Sequence, residues 1–216
     1  QSTGDKHVIL SYSVQEDEGS SDDYFEEIPD EMYINIVESK QDDDQITIKE
    51  KKISKHNWPI QKLLAAEPYL AYLNSKEDTD GVFRHYSLVS NVDTLFFPSL
   101  GLQAYTSDQQ TKAQETNEEI NTELEIKNTG EAYFQINNKK LHITLGGETK
   151  LRWVGFKGNF RTMSLYKVIG ADKDDIAMKE FFKDKIVYIG STALGAHDFR
   201  NTPVDTKLPG VYAHMN

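Results

Sequence analysis

The chain has 216 residues, 35 acidic against 24 basic side chains for a formal charge of −11, and no cysteine. That length fits one domain, or one domain with an excursion; the charge argues against nucleic acid and anionic lipid headgroups as direct partners; the missing thiols exclude disulfides and thiolate zinc sites. With 38% hydrophobic residues, 11 Tyr and 10 Phe, there is enough apolar material for a core. No apolar run approaches the ~20 residues that cross a bilayer. The chain opens at Gln1 with neither an initiator methionine nor a signal peptide, and is expected to be a fragment.

In chain order, His7–Val14 (HVILSYSV) alternates after an apolar start and predicts a strand. Glu16–Glu27 follows with seven acids and no base, which reads as a solvated loop. A cation site is the rival reading, although the oxygen ligands, glycine and closing glutamate of an EF-hand loop do not line up there. Met32–Val37 and Gln45–Ile53 are strand-like, with Asp42–Asp44 as a charged hairpin tip between them. Trp58-Pro59 stops the second run, and Ile60, Leu63, Leu64 and Ala66 follow at helical spacing until Pro68.

Tyr69–Ser90 predicts two strands around an Asp80-Gly81 turn. Phe96-Phe97 is a core candidate, and Ser99, Leu100, Leu102 and Ala104 begin a helix packed on the sheet. Residues 106–131 are polar and read as a variable insertion. Ala132–Ile136 and Lys140–Leu145 form a hairpin across Asn137-Asn138, because asparagine tolerates the left-handed conformation such turns require. Leu151–Gly155 reads as another strand, Ser164 within Phe160–Val168 as a helix N-cap, and Asp174–Lys183 as an amphipathic helix with Phe181-Phe182 in the core.

Ile186–Ile189 is a short continuous apolar run closed by Gly190, and predicts a strand buried on both faces. Ser191 and Thr192 would open the loop at its tip, where α/β sheets often carry binding groups. His197, Asp198, Arg200, Asn201 and Thr202-Pro203 follow, then a Pro209-Gly210 turn and the apolar restart Val211–Ala213. The whole pattern predicts an α/β fold, a mixed sheet flanked by helices, in one domain over 1–216.

Catalytic signatures are missing. Gly190-Ser191-Thr192-Ala193 lacks the lysine and second glycine of a phosphate loop. There is no G-x-S-x-G elbow and no H-E-x-x-H. His197, Asp198 and His214 combine imidazole and carboxylate in a manner suited to a divalent transition metal; loop fixation by Asp198 is the stronger reading. No metal, no cofactor and no catalytic residue are expected.

The run K-I-V-x-I-G-S-T-A from Lys185, with Asp198, Thr202-Pro203, Pro209-Gly210-Val211 and His214-x-Asn216, resembles the closing signature of the second class of CHASE domains. These are the cyclase- and histidine-kinase-associated sensory extracellular domains of bacteria. Asp78-x-Asp80-Gly81-x-x-Arg84 resembles the family's turn motif, Phe97-Pro98-Ser99-Leu100 its helix start, and Gly155 its aromatic-x-Gly strand end. The resemblance covers 59–105 and 132–216, more weakly His7–Val14; the family's N-terminal portion has no counterpart among the motifs.

The resemblance implies an extracytoplasmic signal-input domain, periplasmic or extracellular, with membrane helices on either side in the parent chain. The implied output is a cytoplasmic adenylate or guanylate cyclase or a histidine kinase. It implies a small-molecule or protein ligand, a homodimeric receptor and no nucleic acid. Rival readings are a dimerisation module without a small-molecule ligand and a periplasmic solute-binding protein. The ligand-binding or loop-organising candidates are Asp80, Arg84, Ser191, Thr192, Asp198, Thr202 and His214.

Overall fold

The computed structural model describes residues 8–16, 37–40, 48–51, 53–65, 68–92, 95–116, 120–127, 129–155, 157–193 and 198–216. Its first sheet is built on β1 (Ile9–Glu16), the strand expected at His7–Val14. β1 pairs antiparallel with β3 (Ile53–Asn57) and parallel with β4 (Tyr69–Tyr72), giving the order β3-β1-β4. Between β3 and β4, α1 (Gln61–Leu64) is a single turn. Tyr12, Leu70, Tyr72, Val92 and Phe97 make the core of this layer.

A second sheet has the order β10-β9-β8-β2, from β2 (Val37–Lys40), β8 (Thr122–Ile126), β9 (Ala132–Ile136) and β10 (Lys139–Ile143). β9 and β10 form the expected hairpin, and Asn137 takes the left-handed conformation at its tip, φ 50°. Leu124, Phe134, Ile136 and Ile143 turn inward onto Ile48, Val89 and Leu102. Alternation along β9 is clean, with Ala132, Phe134 and Ile136 buried and Tyr133 and Gln135 half-buried. One face of this sheet therefore lies on the core.

Between the sheets run the antiparallel pair β6 (Val89–Val92) and β7 (Leu95–Pro98), followed by α2 (Leu100–Thr116). Ser99 starts α2 as expected: its hydroxyl accepts from the Leu102 N–H at 3.3 Å, and its carbonyl from the Gln103 N–H at 2.8 Å. A side-chain acceptor there satisfies one of the helix's orphan donors. Strand β5 (His85–Ser87) pairs with β11 (Glu148–Lys150). The remainder holds α3 (Leu165–Gly170), α4 (Ile176–Phe182) and a two-residue pair, β12 (Phe199–Arg200) with β13 (Leu208–Pro209). Strands and helices in one chain make the mixed α/β fold that the pattern implied.

Several local expectations fail. Residues 185–193 form no strand, and Ile186, Val187 and Ile189 are 51%, 49% and 77% exposed. An apolar β-branched run states a preference for extended backbone, but a ladder needs a partner strand, and among the described residues 185–193 pair with none. The two strands flanking Asp80-Gly81 are not a hairpin. β4 joins β1 while β5 joins β11, so the turn links two sheets. The expected hairpin around Asp42–Asp44 lies largely outside the described residues; before and after it, β2 pairs with β8 and β3 with β1.

Within 106–131, the described residues include core positions. α2 extends to Thr116, and β8 contributes Leu124 and Ile126, 0% and 3% exposed. The strand expected at Leu151–Gly155 falls earlier, at β11, and continues only as Leu151 N–H to the Arg84 carbonyl at 2.9 Å. Ser164 sits at the N-cap of α3 without a side-chain cap bond, whereas Asp175 caps α4 by accepting from Met178 N–H. Phe181 and Phe182 stack edge-to-face at 5.0 Å but are only half-buried.

Candidate functional site

Two stretches of the sequence meet at one corner of the molecule. The first is the turn Asp78–His85. Asp80 accepts from the Val82 N–H at 3.1 Å, and Gly81 N–H donates to the Asp78 carbonyl at 2.8 Å with Gly81 at φ 76°. Arg84 then returns across the turn. Its two terminal nitrogens lie 2.9 and 2.8 Å from the Asp80 oxygens, and Nη1 also donates to Asp78 at 3.0 Å. Asp78 holds His85 Nδ1 at 2.7 Å on its other oxygen.

Hydrogen bonding from Arg84, then from the Val82 N–H, brings the Asp80 carboxyl down to about 2. His85, then Arg84, lowers that of Asp78. The bidentate fork fixes the turn's shape and leaves Asp80 and Arg84 occupied with each other. A broad cleft of about 550 Å³ opens beside them, edged by Lys76, Glu77, Thr79 and Glu148.

The second stretch is the C-terminal run. β12 and β13 hold it together, and the Gly210 N–H donates to the Asp198 carbonyl at 2.8 Å. Thr202, 5% exposed, organises the intervening loop. Its hydroxyl donates to the Asp205 carbonyl at 2.7 Å and accepts from the Asp205 N–H at 3.0 Å. Asn201 ties this loop to the first stretch: its side chain donates to the Gly81 carbonyl at 3.1 Å, and its carbonyl accepts from Phe83 N–H at 2.6 Å.

Behind the turn, Phe83, Tyr86 and Ala213 form a small core with Leu151 and Trp153 against it. There His214 Nδ1 lies 2.7 Å from the Tyr86 hydroxyl. Burial pushes the His214 imidazole down to about 4, with Asp198 opposing and Arg200 adding to the shift. The ring is therefore neutral at pH 7, and one hydrogen bond joins its Nδ1 to the Tyr86 hydroxyl. Gly101 N–H donates into the same phenol oxygen at 3.2 Å. Burial raises the Tyr86 phenol to about 12, so it stays protonated and able to donate. Asn216 completes the attachment, accepting from Val154 N–H at 2.8 Å and donating to the Tyr212 carbonyl at 2.6 Å.

Between these parts lies a cavity of about 280 Å³. Leu73, Phe83, Leu100, Ile189 and Val211 supply its apolar wall. Ser11, Ser75, Asp198, Arg200 and His214 supply its polar groups. Asp198 and Arg200 are two residues apart in extended backbone, so their side chains leave the same face. Gly210 stands beside them, and a Cβ there would collide with the Asp198 carboxylate.

Of the expected site residues, Asp198 and His214 line this cavity, Thr202 shapes the loop beside it, and Asp80 with Arg84 edges the neighbouring cleft. Ser191 and Thr192 are exposed outside both; the Ser191 hydroxyl accepts from Ala193 N–H at 3.4 Å. His197 lies outside the described residues, and no group of three metal-ligating side chains occurs among those described. Asp198 was expected to hold the loop by accepting backbone N–H bonds. Its main-chain carbonyl does so instead, while its carboxylate, among the described residues, meets Arg200 at 3.5 Å. Replacing Asp198 by alanine keeps that carbonyl. An exposed ion pair stabilises by at most ~1 kcal/mol, so the melting temperature should move by less than ~4 °C.

Sequence reasoning missed Tyr86 and Arg200 as site residues. For Tyr86 the signal was an aromatic with a hydroxyl inside the strand expected over Phe83–Val89, since a buried phenol requires a partner. For Arg200 it was the i, i+2 spacing from Asp198.

A family model described as the CHASE2 domain matches residues 7–216. The match extends through 17–58 and 106–131, where the motifs gave no resemblance. No curated protein and no solved structure matches the chain.

Proposed function

Because the chain belongs to the CHASE2 family of extracellular sensory domains, we propose that it is the signal-input module of a bacterial membrane receptor, lying outside the cytoplasm and regulating a cyclase or a histidine kinase within it. The observation that supports this reading most is the attachment of 198–216 to the cavity wall. Asp198, Arg200, Val211 and His214 line the cavity, and His214 and Asn216 are bonded to β5 and to the segment after β11. A ligand that changes the spacing of these groups moves the C-terminal run with it. Such a ligand biases the receptor only through its different affinity for two states, and about 1.4 kcal/mol of difference changes their ratio tenfold.

The test begins with the parent gene. Apolar segments of ~20 residues on both sides and a cyclase or kinase beyond one of them are expected. In that full-length protein, Tyr86→Phe, which removes the hydroxyl that joins His214 and Gly101, should alter basal output. A parent chain with no membrane segment overturns the receptor reading and leaves a solute-binding protein in its place.

A second reading, a dimerisation module, draws on the exposed apolar side chains of 165–189. Tyr166, Ile169, Ile176 and Ile189 are 87%, 76%, 76% and 77% exposed. Large apolar side chains left open over one stretch of chain are the material of an interaction surface where they adjoin. Sedimentation of the chain as a dimer that ignores added small molecules would favour it; a monomer would remove it.

A further inference from the structure

The cavity beside β12 has a charge pattern that selects among ligands. Its two formal charges are Asp198 and Arg200, because the third titratable group, His214, is neutral near pH 7. The charges are equal, opposite and adjacent. Arg200 Nη2 lies 3.5 Å from Asp198 Oδ1, longer than the 2.7–2.9 Å of a closed charge-assisted bond. Both side chains remain partly open, at 39% and 46% exposure. Among the described residues Arg200 has no other ion-pair partner, so most of its five N–H donors are available.

An anion bound to Arg200 alone would face the Asp198 carboxylate, and it must first approach a protein of charge −11. A cation bound to Asp198 alone would face the guanidinium. A zwitterion whose two charges are a few ångströms apart satisfies both groups and leaves no unpaired charge in a partly desolvated site. The rest of the lining extends the match: Leu73, Leu100 and Val211 offer an apolar wall, and Ser11 and Ser75 offer hydroxyls. The volume of about 280 Å³ corresponds to about nine waters, room for a compound of roughly ten non-hydrogen atoms.

We propose that this cavity binds a free α-amino acid with an aliphatic side chain, its carboxylate on Arg200, its ammonium on Asp198 and its side chain against Leu73, Leu100 and Val211. The proposal rests on the sensory reading above and names the ligand class of the same cavity.

Calorimetric titration of the chain with L-leucine tests it, beside isoamylamine, which lacks the carboxylate, and 4-methylvalerate, which lacks the ammonium. Saturable binding of leucine is expected, with each one-charge analogue weaker by about tenfold or more. Arg200→Gln and Asp198→Asn should each weaken leucine by a similar factor while leaving the melting temperature of the free chain nearly unchanged. Equal binding of leucine and either analogue overturns the proposal. So does an absence of heat or thermal shift with leucine, isoleucine and valine at ~10 mM, or leucine binding that ignores both variants. Deleting the domain from the full-length receptor separates the two levels. If deletion changes output although the chain binds no amino acid, the ligand class falls and the sensory reading stands; if deletion leaves output unchanged, the sensory reading falls with it.

Discussion

Acidification from pH 7 to pH 4 is expected to remove about 3 kcal/mol of stability through His214. Burial holds this imidazole near 4, against 6.5 for an exposed histidine. Below pH 6.5 the unfolded chain takes up a proton that the folded chain refuses, so the equilibrium tilts toward unfolding. The stabilisation is complete above 6.5 and is lost progressively as the pH falls toward 4. A ring carrying both protons also cannot accept at Nδ1 from the Tyr86 hydroxyl 2.7 Å away. Asp78 and Asp80 act in a lower window: their carboxyls are depressed in the folded state, so their stabilisation is present above about 3.8 and disappears below it. Urea denaturation at half-unit pH steps separates the two. His214→Gln should flatten the slope between 6.5 and 4 while keeping the fall below 4. A slope in the upper window that persists in the variant would remove His214 as its source.

The largest loss from one substitution is expected at Phe134. Its ring is fully buried, with Leu124 opposite it on β8 and Ile48, Val89 and Leu102 in the same cluster. Phe134→Ala removes most of a large side chain from a packed interior, which costs about 3–5 kcal/mol in transfer and cavity terms together. For a domain of this size that lowers the melting temperature by roughly 10 °C. Leu141→Ala is the control. Leu141 faces Phe134 in the ladder from the edge strand β10 but is 44% exposed, so its truncation should cost under about 1 kcal/mol. Equal losses in the two variants would show that the core does not centre on Phe134.

What the sequence made legible was local. The β9–β10 hairpin is carried by two adjacent asparagines and alternating residues, and the α2 start by Pro98-Ser99, so a window of ten residues holds the information. The parallel pairings of β1 with β4 and β2 with β8 depend on partners far along the chain, and no local pattern names them. Ile186–Ile189 shows the reverse failure: the pattern asked for a strand where the run pairs with none of the described strands.

The site divides in the same way. Asp80-Gly81-x-x-Arg84 closes a turn on itself and could be read directly. Asp198 and His214 were flagged by their chemistry, yet their meeting with that turn rests on Asn201 to Gly81, 120 positions apart, and Tyr86 to His214, 128 positions apart.

Those separations also set an order of assembly. Loop closure over more than a hundred residues carries a large entropic cost, so contacts of that span form late and slowly. The β8–β9–β10 meander can organise from neighbouring segments, while the corner that joins β5 to 198–216 must wait for the rest. By the same reasoning it opens first: the amides of Phe83 and Gly210 should exchange with deuterium through partial openings that leave Leu124 and Phe134 protected. A molecule seated in the cavity would close that seam, and its presence would be recorded there as slowed exchange before any change in shape is seen.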